Sequence, residues 1–169
     1  MSRLCLALAA VVAAAAPSSA AAKGYDIPAA MGDQLPALLE QTPLPVLLPQ
    51  RLPLDYDGRL YTSTDASDAG MWTVSLAAIE GCGGNACSFG AIYGERGAKR
   101  SNSIRVRLRG GRNGWFRPLS CGGSCAPPSI QFTREKVLYT IQAKVFQRGR
   151  SDKQVLVAAA NSALAAGPR

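Results

Sequence analysis

The 169-residue sequence contains no histidine. Without imidazole there is no Ser-His-Asp or Cys-His catalytic arrangement, no histidine ligand for zinc, and no ordinary side chain that titrates near neutral pH. The nucleophile-elbow, penicillin-binding, phosphate-loop and dinucleotide-binding motifs are also absent. We therefore predict no catalytic residue and no cofactor. The enzyme class that stays open as an alternative is a small hydrolase that uses two carboxylates.

Acidic residues are few, and no predicted element places two of them on one face. A hydrolase could draw its two carboxylates from four scattered glutamates, which are Glu40, Glu80, Glu95 and Glu135. Asp55 and Asp57 stand before Gly58 as at the start of a calcium loop, but the third acid and the distant glutamate of such a loop are missing. We predict no metal site, because turns with this composition are usually only turns.

Long apolar runs are absent outside the first residues. Arg3 is followed by an apolar run over residues 4–16 and then by small residues up to Ala22, which is the pattern of a secretory signal peptide. The run falls short of the roughly 18 apolar residues of a membrane span, although an uncleaved anchor is the alternative. We predict that residues 1–22 are a cleaved signal peptide and that residues 23–169 form one secreted or periplasmic domain that does not span a membrane.

Four cysteines remain outside the leader, in two close pairs: Cys82 with Cys87, and Cys121 with Cys125. An even number in an exported chain favours two disulfides over a metal site. Each pair encloses glycines that allow a sharp turn, so we favour the two local disulfides, while cross-pairing between the two loops stays open. An all-thiolate zinc site and a redox pair are weaker alternatives, because both normally use the tighter CxxC spacing.

The predicted order of elements is helix, six or seven strands, helix. Residues 23–30 are predicted as a tail, Asp33–Glu40 as a short helix, and the proline-rich residues 42–49 as an extended segment or edge strand. Ser151–Gln154 fits a capping box that begins a C-terminal helix. The fold class that follows is α+β, a single antiparallel sheet backed by one short N-terminal and one C-terminal helix and stabilised by disulfides.

The strands are predicted from alternating or short apolar stretches. We expect a short strand at residues 59–62 and a loop at residues 63–70. A hairpin turn is expected at residues 110–114, because Asn113-Gly114 is a common hairpin signal. The remaining predicted strands cover residues 72–78, 89–93, 104–109, 115–117, 129–133 and 137–146.

The chain has a formal net charge of +8, and its basic residues are concentrated where acids are lacking. After Glu95 no acid occurs before the last cysteine, whereas eight basic residues do: Arg96, Lys99, Arg100, Arg105, Arg107, Arg109, Arg112 and Arg117. Residues 105, 107 and 109 alternate with aliphatic residues, so we predict three arginines on one face of a strand. Arg112 extends this array at the turn, and Arg117 with Trp115 is expected on the same face of the next strand.

An arginine array of this kind can bind carboxylate, phosphate or sulfate groups with two hydrogen bonds each. We hypothesise a non-enzymatic domain that binds an anionic cell-envelope polymer or an acidic protein through this basic hairpin. Nucleic acid is not predicted as a partner, because the chain is exported and has no recognised nucleic-acid motif. The alternatives are an ordinary solvent-facing strand protected by charge, the carboxylate hydrolase, and a carrier of an apolar ligand between sheet and helix.

Overall fold

A computed structural model describes residues 24–67 and 70–169 of the chain. The predicted signal peptide lies outside these residues. The elements in chain order are β1 (Tyr25–Asp26), α1 (Ile27–Met31), α2 (Gln34–Gln41), β2 (Arg51–Leu52), β3 (Tyr61–Ser67), β4 (Met71–Ala77), β5 (Ser88–Arg96), β6 (Ile104–Arg107), a 3-10 turn (Arg109–Gly111), β7 (Asn113–Arg117), β8 (Ser120–Cys121), β9 (Cys125–Ala126), β10 (Ser129–Arg134), β11 (Val137–Ala143) and α3 (Asp152–Ala166).

Seven of these strands form one antiparallel sheet in the order β3-β4-β5-β11-β10-β7-β6. The strand pairs β1-β2 and β8-β9 are separate two-stranded ribbons. The α+β prediction is therefore confirmed, with one more short helix at the N-terminus than expected. Among the described residues, no helix has the length and the apolar character needed to cross a membrane.

The helices cover one face of the sheet, which we call the inner face. A row of apolar side chains crosses this face because directly opposite residues of neighbouring strands point the same way. The row consists of Val74, Ile92, Ile141, Ile130 and Phe116. These residues belong to one buried cluster that includes the apolar positions of the three helices. We call the opposite face of the sheet the outer face.

The N-terminal part is more ordered than the sequence suggested. The prediction of a tail at residues 23–30 is wrong, because β1 and α1 lie there. Asp26 caps α1 by accepting a hydrogen bond from the Ala29 backbone at 3.0 Å, and Ile27 and Met31 are buried in the core. The segment 42–49 is extended and buries four aliphatic residues, as predicted; these are Leu44, Val46, Leu47 and Leu48.

Strand β3 runs to Ser67, so the predicted loop at residues 63–70 is wrong over its first half. The residues of β3 are polar on both faces, because Thr62 and Thr64 point inward while Ser63 and Asp65 point outward. No apolar alternation marks this strand in the sequence. Its position at the sheet edge, beside α1 and α2, explains why a polar strand is stable there.

The hairpin between β6 and β7 turns earlier than predicted. Asn113 and Gly114 pair with Arg107 and Val106 inside the strands, so the Asn-Gly dipeptide is not the turn. Gly110 and Gly111, which belong to the predicted turn at residues 110–114, make it with φ of 67° and 73°. Gly114 packs closely against Leu108, because a Cβ atom at position 114 would lie 2.9 Å from Leu108 Cδ1 and the leucine side chain would have to shift.

Residues 97–103, which we call the strap, connect β5 to β6 across the outer face. The connection must pass over β11, β10 and β7, because β6 lies at the far edge of the sheet. Gln131 of β10 holds the strap by accepting hydrogen bonds from the Ser101 and Asn102 backbones, both at 2.9 Å. The strap buries Gln131 and the neighbouring residues Ser129 and Thr140, so this part of the outer face is a polar core.

The C-terminal half follows the sequence closely. The hairpin of β10 and β11 turns at Glu135 and Lys136, whose φ values are 52° and 63°. Helix α3 begins at the predicted capping box, in which the Ser151 and Gln154 side chains each accept a hydrogen bond from the other residue's backbone. Leu156 and Ala160 of α3 are completely buried against the inner face.

Tyr139 of β11 should make stability fall in alkali. Burial of its phenol, with a smaller contribution from the Glu135 carboxylate, raises the pKa of Tyr139 to about 12, although Arg134 and Arg96 oppose this shift. In the unfolded chain the Tyr139 phenol loses its proton near pH 10, whereas in the folded protein it keeps the proton up to a higher pH. Above pH 10 the unfolded state is therefore stabilised relative to the folded state. We expect the free energy of unfolding to fall between pH 10 and pH 12, by at most about 1.4 kcal/mol per pH unit from this group.

Urea denaturation over this pH range measures the effect. In the folded protein the Tyr139 hydroxyl donates a hydrogen bond to the Pro45 carbonyl at 2.9 Å, so Tyr139→Phe should lower stability at neutral pH. The same variant should show a smaller alkaline decline than the parent protein. An equal alkaline decline in both proteins would show that Tyr139 is not responsible.

Candidate functional site

The arginines of the β6-β7 hairpin, residues 104–117, form the candidate site, and we call this element the arginine hairpin. Arg105 and Arg107 are exposed on the outer face of β6, which is the edge strand of the sheet. The Nε and Nη2 atoms of Arg105 donate to Asn113 Oδ1 at 3.0 and 2.9 Å. This contact orients the Arg105 guanidinium and leaves its remaining nitrogen, Nη1, for another acceptor.

Arg109 does not lie in line with Arg105 and Arg107 on the outer face of β6, although the sequence predicted three arginines on one face of a strand. Strand β6 ends at Arg107, Leu108 turns into the core, and Arg109 begins the 3-10 turn. The Arg109 backbone donates to Asn161 Oδ1 of α3 at 2.7 Å, which fixes the tip of the hairpin to the helix. Arg109 and Arg112 are therefore exposed at the tip, beyond the two arginines of the strand.

Trp115 and Arg117 of β7 share the outer face with Arg105, as predicted from the sequence. Trp115 is half-buried, and the Arg100 guanidinium of the strap lies 4.8 Å from the centre of its ring. Arg117 is also half-buried, and its Nε atom has no hydrogen-bond partner among the described residues. The side chains that remain exposed for a ligand are Arg105, Arg107, Arg109 and Arg112.

These arginines carry charge that the protein does not neutralise locally. Within residues 24–67 and 70–169 the only salt bridge joins Arg134 to Glu135, at 3.0 Å. No carboxylate of the described residues therefore lies within 4.0 Å of a guanidinium nitrogen of the arginine hairpin. The resulting positive potential favours an anionic ligand, and because β6 is an edge strand the same charges also discourage edge-to-edge aggregation.

The residues proposed for the alternative functions are dispersed. The four candidate glutamates lie on four different elements, which are α2, the loop after β4, strand β5 and the turn between β10 and β11. In the described part of the chain no three His, Cys, Asp or Glu residues are grouped so that they could hold a metal ion.

For a carrier of an apolar ligand, the sequence analysis expected a cavity between the sheet and a helix. An apolar cavity of about 370 Å³ is open to solvent, but it lies between α3 and residues 50–53 and not between α3 and the sheet.

Both disulfides join the local pairs that the glycine spacing favoured. Cys82 is bonded to Cys87, with Cα atoms 5.9 Å apart, and Cys121 is bonded to Cys125, with Cα atoms 4.0 Å apart. We call residues 82–87 the first disulfide loop and residues 121–125 the second.

The sequence alone did not reveal that the strap places Arg100 on Trp115, or that the Asn102 side chain is buried between the strap and the sheet. The only available signal was the absence of apolar alternation in residues 97–103.

Comparison of the chain with protein-family models, with curated proteins and with solved structures finds no match.

Proposed function

We propose that this protein is an exported, disulfide-stabilised binding domain that holds an anionic polymer of the cell envelope on the arginine hairpin. The observation that carries the proposal is the group of four exposed arginines without a carboxylate partner. Guanidinium groups bind phosphate and carboxylate through paired hydrogen bonds, and they stay charged at every physiological pH. A polymer can engage several of them at once, so weak individual contacts add up.

The geometry favours a polymer over an acidic protein as the partner. Protein interfaces usually place a buried aromatic or aliphatic residue at their centre and surround it with polar groups. In the arginine hairpin Trp115 is half-buried beneath Arg100 and Phe116 is buried, so the exposed side chains are one aliphatic residue, Ile104, at the start of β6 and the four arginines. A row of exposed charges along a sheet edge suits a flexible, repetitive chain of anions better than a shaped protein surface.

The disulfides support the compartment in this proposal. Two disulfides in one small domain are typical of proteins that fold in an oxidising environment outside the cytosol. The leader-like residues 1–22 are consistent with export to that environment. An anionic polymer of the cell surface would be present there at high concentration.

The hairpin can be tested with polyphosphate as the anionic probe and neutral dextran as the uncharged probe. We expect polyphosphate to bind at low salt, dextran not to bind, and the affinity to fall as salt is added. Replacing Arg105, Arg107, Arg109 and Arg112 together by glutamine should weaken polyphosphate binding by about tenfold or more, because the positive potential at the edge is lost. Titration calorimetry measures both proteins.

A matched variant separates a local site from general charge attraction. Arg59, Lys136, Arg148 and Lys153 are exposed basic residues outside the arginine hairpin, and replacing all four by glutamine removes the same net charge. This control should change polyphosphate affinity by about threefold or less, because its charges lie elsewhere. Equal losses in the two variants would mean that only net charge matters, and the proposed function would be rejected.

A further inference from the structure

A polar groove runs from the β3 edge of the sheet over its outer face, at the side away from the arginine hairpin. It consists of two cavities, of about 470 Å³ and about 190 Å³, that share Ser75 and Ser88. The larger cavity alone has the volume usual for sites that bind small molecules. We call the two cavities together the hydroxyl groove.

The floor of the hydroxyl groove is a row of side chains made of two serines, an alanine and a glutamine. Ser63, Ser75, Ala91 and Gln142 stand directly opposite one another on β3, β4, β5 and β11, so they point to the same face. These four strands are about 4.8 Å apart, which gives the row a length of roughly 14 Å. The small residues leave the floor low enough for a ligand to lie across several strands.

The two disulfide loops form the walls. Residues 79–82, which end at the first cysteine of the first disulfide loop, line the larger cavity and include the exposed Glu80. A ligand carboxylate is therefore favoured only at the smaller cavity, which Asn85 of the same loop lines. Cys125 and Pro127, at the end of the second loop, close the smaller cavity on its other side. The disulfides thereby hold the walls in place, which gives them a role beyond general stability.

The hydroxyls of the groove are available to a ligand. Gln34 and Thr62 at one end bond to each other and to nearby carbonyls, and Ser88 accepts from the Gly90 backbone. Among the hydrogen bonds of the described residues, none uses the hydroxyl of Tyr61, Ser63 or Ser75. A hydroxyl both donates and accepts, so such a row is best matched by a ligand with closely spaced hydroxyls of its own.

Lys144 places one positive charge at the end of the groove. Its Nζ atom donates to the Asn85 backbone carbonyl at 2.7 Å, and this contact leaves two of its protons for other acceptors. No carboxylate of the described residues lies within 4.0 Å of this ammonium group. A carboxylate on the ligand would supply the missing counter-charge.

We infer that the hydroxyl groove binds a saccharide segment that carries a carboxylate, with its hydroxyls on Ser63 and Ser75 and its carboxylate at Lys144. This site is separate from the arginine hairpin. Gln142, two residues before Lys144, belongs to β11. Strands β10 and β7 lie between β11 and β6, so about 14 Å of sheet separates the groove from the strand that carries Arg105 and Arg107. The inference therefore does not depend on polyphosphate binding.

Trigalacturonate is a suitable probe, and neutral maltotriose is the control probe. In amide NMR spectra of the purified protein, trigalacturonate should shift the signals of Ser63, Ser75, Ser88 and Asn85, and maltotriose should bind at least about fivefold more weakly. Ser75→Val removes the hydroxyl shared by both cavities and keeps a side chain suited to a strand, and should weaken trigalacturonate binding by about fivefold. Lys144→Met should weaken it by about tenfold.

Thr133→Val is the matched control, because Thr133 is exposed on the outer face of β10 and lies outside both cavities. It should leave trigalacturonate affinity unchanged. The inference is overturned if trigalacturonate shifts only signals of the arginine hairpin, if it shifts none, or if Ser75→Val and Lys144→Met bind like the parent protein. The glutamine variant of the arginine hairpin should retain the groove signals, and this result distinguishes the two sites.

Discussion

Replacing Asn102 by alanine is expected to lower the free energy of unfolding by about 3 kcal/mol, which is a large share of the stability of a small domain. Asn102 is a residue of the strap and is 2% exposed, because its side chain points toward the sheet. Its Nδ2 atom lies 3.1 Å from the Trp115 carbonyl and 3.1 Å from the Ser129 carbonyl. Its Oδ1 atom accepts from the Ser129 hydroxyl at 3.3 Å.

The expected loss is large because these partners are buried with it. Without the amide, the Ser129 hydroxyl and two backbone carbonyls lose a partner in a region that the strap shields from water. The strap would also lose the side-chain hydrogen bonds that tie it to β7 and β10, and would keep the backbone bonds from Ser101 and residue 102 to Gln131 and the contact of Arg100 with Trp115. Urea denaturation of the purified protein measures the loss.

Asn85→Ala provides the control for this prediction. Asn85 is exposed in the first disulfide loop, and the hydrogen bond that it accepts from Lys144 uses its backbone carbonyl and not its side chain. This substitution should change stability by no more than about 0.5 kcal/mol. If the two asparagine variants have the same urea midpoint, the strap does not depend on Asn102.

Gly90→Ala is expected to cost about 4 kcal/mol or more, the largest effect of any substitution considered for this protein. Gly90 has φ of 137°, a conformation that side chains with a Cβ atom rarely adopt. A Cβ atom there would overlap the Gln142 carbonyl oxygen and lie 2.8 Å from Ala143 Cα. These atoms belong to the backbone of the central strand β11, so they cannot move aside without breaking the pairing of β5 with β11.

Gly83→Ala separates this effect from a general intolerance of alanine in the region. Gly83 lies in the first disulfide loop, and a Cβ atom at this position would meet nothing within 4 Å. Gly83→Ala should therefore keep a urea midpoint close to that of the parent protein, whereas Gly90→Ala should have a much lower midpoint or no cooperative transition. Similar midpoints for both variants would contradict the packing described for Gly90.

The sequence predicted those elements whose signals are local. The capping box of α3 was recognised because Ser151 and Gln154 are three residues apart, and β11 was recognised because Val137, Tyr139 and Ile141 alternate along one segment. The two local disulfides were favoured over cross-pairing, which stayed open, because the cysteines of each pair are close together with glycines between them. In each case a few neighbouring residues contain the whole interaction.

The misjudged elements depend on residues distant in the chain. Strand β3 is polar on both faces and is recognisable only through its pairing with β4. The turn of the arginine hairpin was predicted at residues 110–114, but Asn113 and Gly114 pair with Arg107 and Val106 and so belong to β7. For the candidate site, the sequence predicted the exposed arginines but not that Arg109 would leave the strand.

The hydroxyl groove could not be predicted from the sequence, because its residues are distant in the chain. Ser63, Ser75, Ala91 and Gln142 are far apart in the sequence, and only the order and register of four strands bring them into one row. The alternation of β4 does indicate that Ser75 faces away from the core. It does not indicate which residues stand beside it.

The strap also divides the molecule into two consecutive halves that could be exchanged between copies. Helices α1 and α2 and strands β3 to β5 precede it, strands β6 to β11 and α3 follow it, and the two halves of the large sheet meet only along β5 and β11. Seven extended residues reach at most about 25 Å, and crossing from β5 to β6 already takes about 19 Å. Shortening the strap would therefore favour a domain-swapped dimer, in which β11 of one molecule pairs with β5 of another.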